Sequence, residues 1–123
     1  MALDRRGRVV NRDPGFVPDR GDIVWLDHDP QAGHEQRGRR PALILSPSRY
    51  NGRVGLALCC PLTTRVKHYP FEVAVPRGLA VEGVILADQV RSLDWRSRNA
   101  SLLGRVPEET VQETLAKLLT LLQ

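Results

Sequence analysis

Residues 41–61 read Pro41-Ala-Leu-Ile-Leu-Ser-Pro-Ser-Arg-Tyr-Asn-Gly-Arg-Val-Gly-Leu-Ala-Leu-Cys-Cys-Pro61. Two short apolar runs, 41–46 and 55–61, flank the turn formers Ser46-Pro47 and Asn51-Gly52. Runs this short, bounded by turn signals, read as buried strands. Successive strand residues point to opposite faces, so Cys59 and Cys60 are not expected to form a disulfide. Working outward, similar Val-, Ile- and Leu-rich runs occur at 22–26, 71–75 and 83–86, with further candidates at 88–93 and 100–105. Asp29-Pro30, Tyr69-Pro70 and Arg77-Gly78 punctuate them. Many short strands with no helix between most of them predict a compact antiparallel barrel or sandwich. The exception is the end of the chain. Pro107 suits a first helical turn, Glu108 and Glu109 complement the helix dipole, and Val111, Leu115, Leu118, Leu119 and Leu122 recur on one stripe. That stripe covers the barrel or a partner subunit. The fold class is mainly β (α+β) with a C-terminal amphipathic helix.

A chain of 123 residues, 41% hydrophobic, supports one core and hence one domain. Residues 1–15 are polar, Arg/Asp-rich and without a hydrophobic period, so they read as a flexible N-terminal extension to a domain spanning 16–123. The formal net charge is +4, and residues 41–107 carry nine Arg/Lys against four Asp/Glu. A basic middle favours a polyanionic partner, although many basic domains bind none. No run approaches the roughly 18 apolar residues of a membrane helix, and the N-terminus lacks the apolar centre of a signal peptide, so a cytoplasmic protein is expected.

Residues 31–40, Gln31-Ala-Gly-His-Glu-Gln-Arg-Gly-Arg-Arg40, contain two glycines and three arginines with almost no apolar residue. Burial cannot hold such a loop. It reads either as a solvated connection or as an element presenting an acid and several bases to a ligand. Asp27, His28, Asp29, His34 and Glu35 lie close in sequence, but their spacing matches no zinc or two-metal pattern, so no metal and no cofactor are expected. No G-x-S-x-G or Gly-rich phosphate loop occurs. What remains is Glu35, the arginines ending in Arg40, and the hydroxyl pair Thr63-Thr64. These suit metal-free RNA cleavage, in which the 2′-hydroxyl attacks its own phosphate. That reaction needs a base for the 2′ proton, cationic donors for the charge gathering on phosphorus, and an acid for the departing 5′ oxygen. Glu35 can serve as base, Arg40 as a two-pronged donor and Thr63 as a further donor. Taken singly, they read instead as a surface charge, an ion-pair partner and a strand-end cap.

Taken together, these segments resemble the MazF/PemK family of toxin endoribonucleases, which includes the ChpB proteins. The likeness runs from about Val17 to the C-terminus. It rests on Val17-Pro-Asp-Arg-Gly-Asp-Ile-Val-Trp25, Gly33-His-Glu-Gln36, Arg40-Pro-Ala42, Leu45-Ser-Pro47 and Tyr50-Asn51. Pro61-Leu-Thr-Thr64, Tyr69-Pro-Phe-Glu-Val73, Ala87-Asp-Gln-Val-Arg-Ser92 and Trp95-Arg-Ser-Arg98 follow in family order. The resemblance implies a small SH3-like antiparallel barrel with short helices, of the PemK/CcdB type. It also implies a homodimer, metal-independent and sequence-specific cleavage of single-stranded mRNA to a 2′,3′-cyclic phosphate, and a MazE-like antitoxin partner. By the same resemblance Arg40, Thr63 and Glu35 take the catalytic positions, and Trp25, His28, His34, Gln36, Arg37, Arg39, Thr64, Lys67, Gln89 and Arg91 line the path of the RNA. A guanidinium does not readily give up its proton, so the expected role of Arg40 is charge stabilisation. His28 stands where an aromatic hydrophobic residue is common in the family, and can stack on a base or reach a phosphate. No counterpart of residues 1–15 is recognised in the family's pattern.

The competing reading is a CcdB-type toxin, which shares this fold but acts by binding DNA gyrase; fold alone does not separate the two. That class depends on a short Trp-containing C-terminus, whereas this chain ends Leu118-Leu-Thr-Leu-Leu-Gln123. The loop residues favour the ribonuclease.

Overall fold

A computed structural model of the chain describes residues 2–3, 9–10, 15–28 and 38–123. Strands β1 (Ala2–Leu3) and β2 (Val9–Val10) pair with each other as a short antiparallel ladder. The rest of the fold comprises β3 (Asp22–Asp27), β4 (Arg39–Ile44), α1 (Ser48–Val54), β5 (Ala57–Thr63), β6 (Glu72–Ala74), β7 (Val84–Leu86), β8 (Arg91–Leu93), β9 (Ser101–Arg105) and α2 (Glu108–Leu119). The seven strands β3 to β9 form one antiparallel sheet in the order β6-β7-β5-β4-β3-β9, with β8 also paired to β5. This is the mainly β architecture with a C-terminal helix that the hydrophobic pattern predicts.

The strand β5 organises it. Along one edge it pairs with β4; along the other it pairs first with β8, through Ala57–Cys59, and then with β7, through Leu62 and Thr63. A strand that changes partner part-way along one edge joins two pieces of sheet at a corner. Both faces of the central strands are therefore apolar, which is why their sequences read as continuous runs and not as alternations. Ile23, Leu43, Leu45, Cys60 and Leu62 pack with Val73, Ile85, Val111 and Leu118 on one face. Val24, Leu26, Ala42, Ile44, Ala57 and Cys59 pack with Trp95 on the other. Cys59 and Cys60 thus point to opposite faces, as expected, and both are free thiols.

Two local features depart from the sequence reading. Asn51-Gly52, expected to be a turn, lies within α1. Neither residue favours a helix, and Pro47 at the N-cap offers no side-chain acceptor. Distant residues supply what the segment lacks. Asp19 Oδ1 accepts the Ser48 N–H at 2.8 Å. The fully buried Asn51 side chain donates to Pro18 O and Ser46 O and accepts from Ser46 Oγ. The helix stops at Gly55, whose φ of 84° suits glycine. In α2 the expected stripe is shorter than its sequence period: Val111, Leu115 and Leu118 face the core, whereas Leu119 and Leu122 are 48% and 69% exposed. Thr110 and Thr114 are buried in their place, with Thr114 Oγ1 donating to Thr110 O at 2.9 Å. Among the described residues no helix is long and apolar enough to cross a membrane.

Candidate active site

Two neighbouring strands carry the residues of interest. In the β4/β5 ladder Ala42 faces Pro61 and Leu43 faces Cys60. Continuing that register by two residues brings Arg40 to the position opposite Thr63, on the face that Ala42 and Pro61 share. Both Arg40 and Thr63 border an open cleft of about 670 Å³. Arg40 lies within β4 opposite Leu26 of β3 and is exposed, with Nη1 donating to the Arg39 carbonyl at 3.1 Å. Thr63 is the last residue of β5, opposite Val84. Its Oγ1 accepts the Arg65 N–H at 3.1 Å, which leaves the hydroxyl proton for donation to a ligand.

Gly83 makes the Thr63 position attainable. Its φ is 111°, and a Cβ there would fall 2.1 Å from the Thr63 carbonyl oxygen and 2.8 Å from the carbonyl carbon. Only glycine fits so close an approach. A lone glycine before an apolar run signals this in sequence, but nothing local says which strand it approaches.

Trp25, His28, Thr64, Gln89 and Arg91 line the same cleft. Lys67 does not; it borders a smaller adjoining depression, of about 360 Å³, with Arg65 and Tyr69. The two hollows share Thr63, Leu86 and Gln89. Glu35, His34, Gln36 and Arg37 lie outside the described residues. Arg39 borders the cleft, but its guanidinium is engaged elsewhere: it pairs with Asp27 at 3.3 Å and donates to Asn99 O at 2.9 Å and Ser101 Oγ at 3.3 Å. Sequence reasoning passed over Asp27 as a partner for Arg39 because the two face each other only once β3 and β4 pair.

The cleft is electropositive. Arg39, Arg40, Arg91 and Arg98 border it against Asp27 and Glu82, and Asp27 is taken up by Arg39. Cys59 also lies along its wall, but burial pushes that thiol up to about 11 despite Arg91 and Arg98, so it is no nucleophile at neutral pH. Among the described residues no three His, Cys, Asp or Glu side chains are grouped to hold a metal ion. The arrangement therefore offers cationic and hydroxyl donors to a polyanion, with Trp25 on the same wall.

The antiparallel sheet with its C-terminal helix is the framework of a family of toxins. Residues 19–122 match the family described as PemK-like, MazF-like toxin of type II toxin-antitoxin system, and the chain belongs to it. It is 50% identical over 103 residues to the endoribonuclease toxin MazF of Escherichia coli (strain K12), covering 84% of this chain and 92% of that one. The crystal structure of MazF (Form-I) from Deinococcus radiodurans superposes with a TM-score of 0.79 at 58% identity, over 87% of this chain and 97% of that one. The Form-II structure of a MazE-MazF complex from the same organism matches with a TM-score of 0.78 at 51% identity, over 87% and 96% of the two chains. These likenesses do not favour the gyrase-binding reading.

Proposed function

We propose that this chain is an endoribonuclease toxin of a type II toxin–antitoxin system that cuts single-stranded mRNA at specific sequences without a metal ion. The observation that supports the reading is that Arg40 and Thr63, each two residues beyond the Ala42–Pro61 pair of the β4/β5 ladder, border one basic cleft. In the proposed step a base, assigned by resemblance to Glu35, removes the 2′-hydroxyl proton. The 2′ oxygen attacks the adjacent phosphorus, and the P–O5′ bond breaks. The 5′ oxygen leaves with a proton supplied by an acid, giving a 2′,3′-cyclic phosphate and a 5′-hydroxyl. Arg40 holds the charge that accumulates on the phosphoryl oxygens, and the Thr63 hydroxyl donates one further bond. Trp25, His28, Gln89 and Arg91 bind bases and backbone to either side.

The test is purified protein with a long RNA in EDTA. Discrete cuts are expected, one deoxynucleotide at the cut site abolishes them, and mass spectrometry finds a cyclic phosphate on the upstream product. Ends bearing a 3′-hydroxyl and a 5′-phosphate would instead mean a metal-activated water. Arg40→Ala should lower cleavage by at least two orders of magnitude, since a charged transition-state donor typically contributes ~3–4 kcal/mol. Thr63→Val should lower cleavage too; a change in melting temperature alone would leave Thr63 a strand cap.

The partners follow from the same surface. A MazE-like antitoxin with an acidic segment that orders on binding would occupy the basic cleft, and added salt should weaken its inhibition. The protein is proposed to act as a homodimer, with the exposed end of α2 among the surfaces available for burial, and light scattering at micromolar concentration tests this. Residues 1–15 precede the family match and are proposed to be an extension outside the catalytic domain.

A further inference from the structure

The last rung of the β3/β4 ladder is Asp27 opposite Arg39. Terminal rungs of a hairpin are where pairing frays, yet this one is tied on three sides. The Arg39 and Asp27 side chains are only 15% and 10% exposed, and Arg39 Nε lies 3.3 Å from Asp27 Oδ1. Asn99 Nδ2 donates to the other carboxylate oxygen at 2.8 Å. Arg39 Nη2 reaches past the pair to Asn99 O, at 2.9 Å, and Ser101 Oγ. Arg98 Nη1 donates to the carbonyls of Asp27 and His28, at 3.0 and 2.5 Å, and its own carbonyl accepts the Asp27 N–H. Asn99 can present both its amide and its carbonyl because it sits in the left-handed region, at φ 53°.

This clasp ends next to Arg40, whose guanidinium donates to the carbonyl of Arg39. The side chain of Arg39 fixes the residue that the Arg40 guanidinium leans on. We propose that Asp27, Arg39 and Asn99 form a clasp that positions Arg40 in the cleft, so that Arg39 acts on the reaction through Arg40 and not as a contact to the RNA. The proposal rests on the reading of Arg40 as the phosphate-stabilising group. It makes Arg39 a positioning residue: the ion pair is shielded from solvent, so bulk salt screens it weakly, and a guanidinium already ion-paired with a carboxylate and hydrogen-bonded to a carbonyl has little to offer a phosphate.

The experiment compares Arg39→Met, Asn99→Gly and Arg40→Ala with the wild type. kcat and KM are measured on a synthetic RNA containing one cut site mapped from a long transcript. The salt dependence of Kd is measured on the same RNA made uncleavable by a single 2′-deoxy substitution. Glycine accepts a left-handed φ and keeps the carbonyl that Arg39 uses, so Asn99→Gly removes only the bond to Asp27 and should fold even where Arg39→Met does not. Arg39→Met is expected to lower kcat roughly 10- to 100-fold, as a displaced catalytic group does. KM and the slope of log Kd against log salt should stay unchanged. Asn99→Gly should lower kcat several-fold in the same pattern, and in the Arg40→Ala background neither change should lower kcat further, because the effects share one route. A salt slope shallower by about one unit in Arg39→Met with kcat intact would make Arg39 a phosphate contact and overturn the proposal. Unchanged kcat in Asn99→Gly would overturn it as well. Full activity of Arg40→Ala would instead remove the underlying assignment of Arg40, a result separable from either of these.

Discussion

Replacing Gly83 by alanine probes the site without touching any group proposed to contact RNA. Two costs arise. At φ 111° an L-residue is strained by roughly 1–3 kcal/mol. The new methyl would also stand 2.1 Å from the Thr63 oxygen and 3.0 Å from the Thr64 Cα, both of them backbone atoms that cannot swing aside. Restoring ordinary van der Waals contact requires the end of β5 to retreat by roughly 1.3 Å or more, and a misplacement of about 1 Å in an active site can already lower the rate about 10²-fold. Gly78 provides the control: its φ is 89°, yet nothing lies within 4 Å of its Cβ position. Gly78→Ala therefore carries backbone strain alone. Single-turnover cleavage alongside urea unfolding separates the effects. Both variants should lose stability, Gly83→Ala more, and only Gly83→Ala should lose about two orders of magnitude in rate. A folded Gly83→Ala protein cutting at the Gly78→Ala rate would refute the reasoning, because the Thr63 hydroxyl would then have moved without consequence or not moved at all.

Asn51→Ala removes a completely buried amide that satisfies Pro18 O and Ser46 O and holds Ser46 Oγ. At about 1 kcal/mol per bond plus the groups left unpaired, urea unfolding should show a loss of roughly 3–4 kcal/mol, with the positions of RNA cutting unchanged; a loss below about 1 kcal/mol would contradict the network. Burial pushes the thiols of Cys59 and Cys60 up to about 11 and about 12. Iodoacetamide at pH 8 should therefore leave both unmodified in the native protein and alkylate both in urea, as read by mass spectrometry. Burial alone would raise the Asp19 carboxyl, but hydrogen bonds from the Ser48 and Arg20 backbone, with Arg105 nearby, hold it below its ordinary value of 3.8. A depressed carboxyl favours the folded state above the unfolded pKa and ceases to do so as the pH falls through the folded value. Asp19→Ala should thus be less stable than the wild type at neutral pH and converge with it in acid unfolding curves below about pH 3.8.

The chain's own pattern determined the strands and the final helix, because apolar runs of four to seven residues between turn formers admit few other conformations. It also determined that Cys59 and Cys60 part company, a consequence of strand geometry alone. Arg40, Thr63 and the basic middle of the chain were legible as ingredients, and family resemblance gathered them into a site. Their juxtaposition was decided by the tertiary structure, since it depends on the β4/β5 register, which no local run encodes. The same holds for α1, where Asn51 and Gly52 oppose a helix until Asp19 and Pro18 arrive from 29 and 33 positions away. Lys67 was named in sequence among the residues expected to bind RNA, and the folded chain sets it in the depression that adjoins the cleft. Arg39 read as one more basic residue of a mobile loop. Whether a cation binds RNA or braces the fold depends on what stands opposite it, and only the folded sheet brings Asp27 and Asn99 to that place.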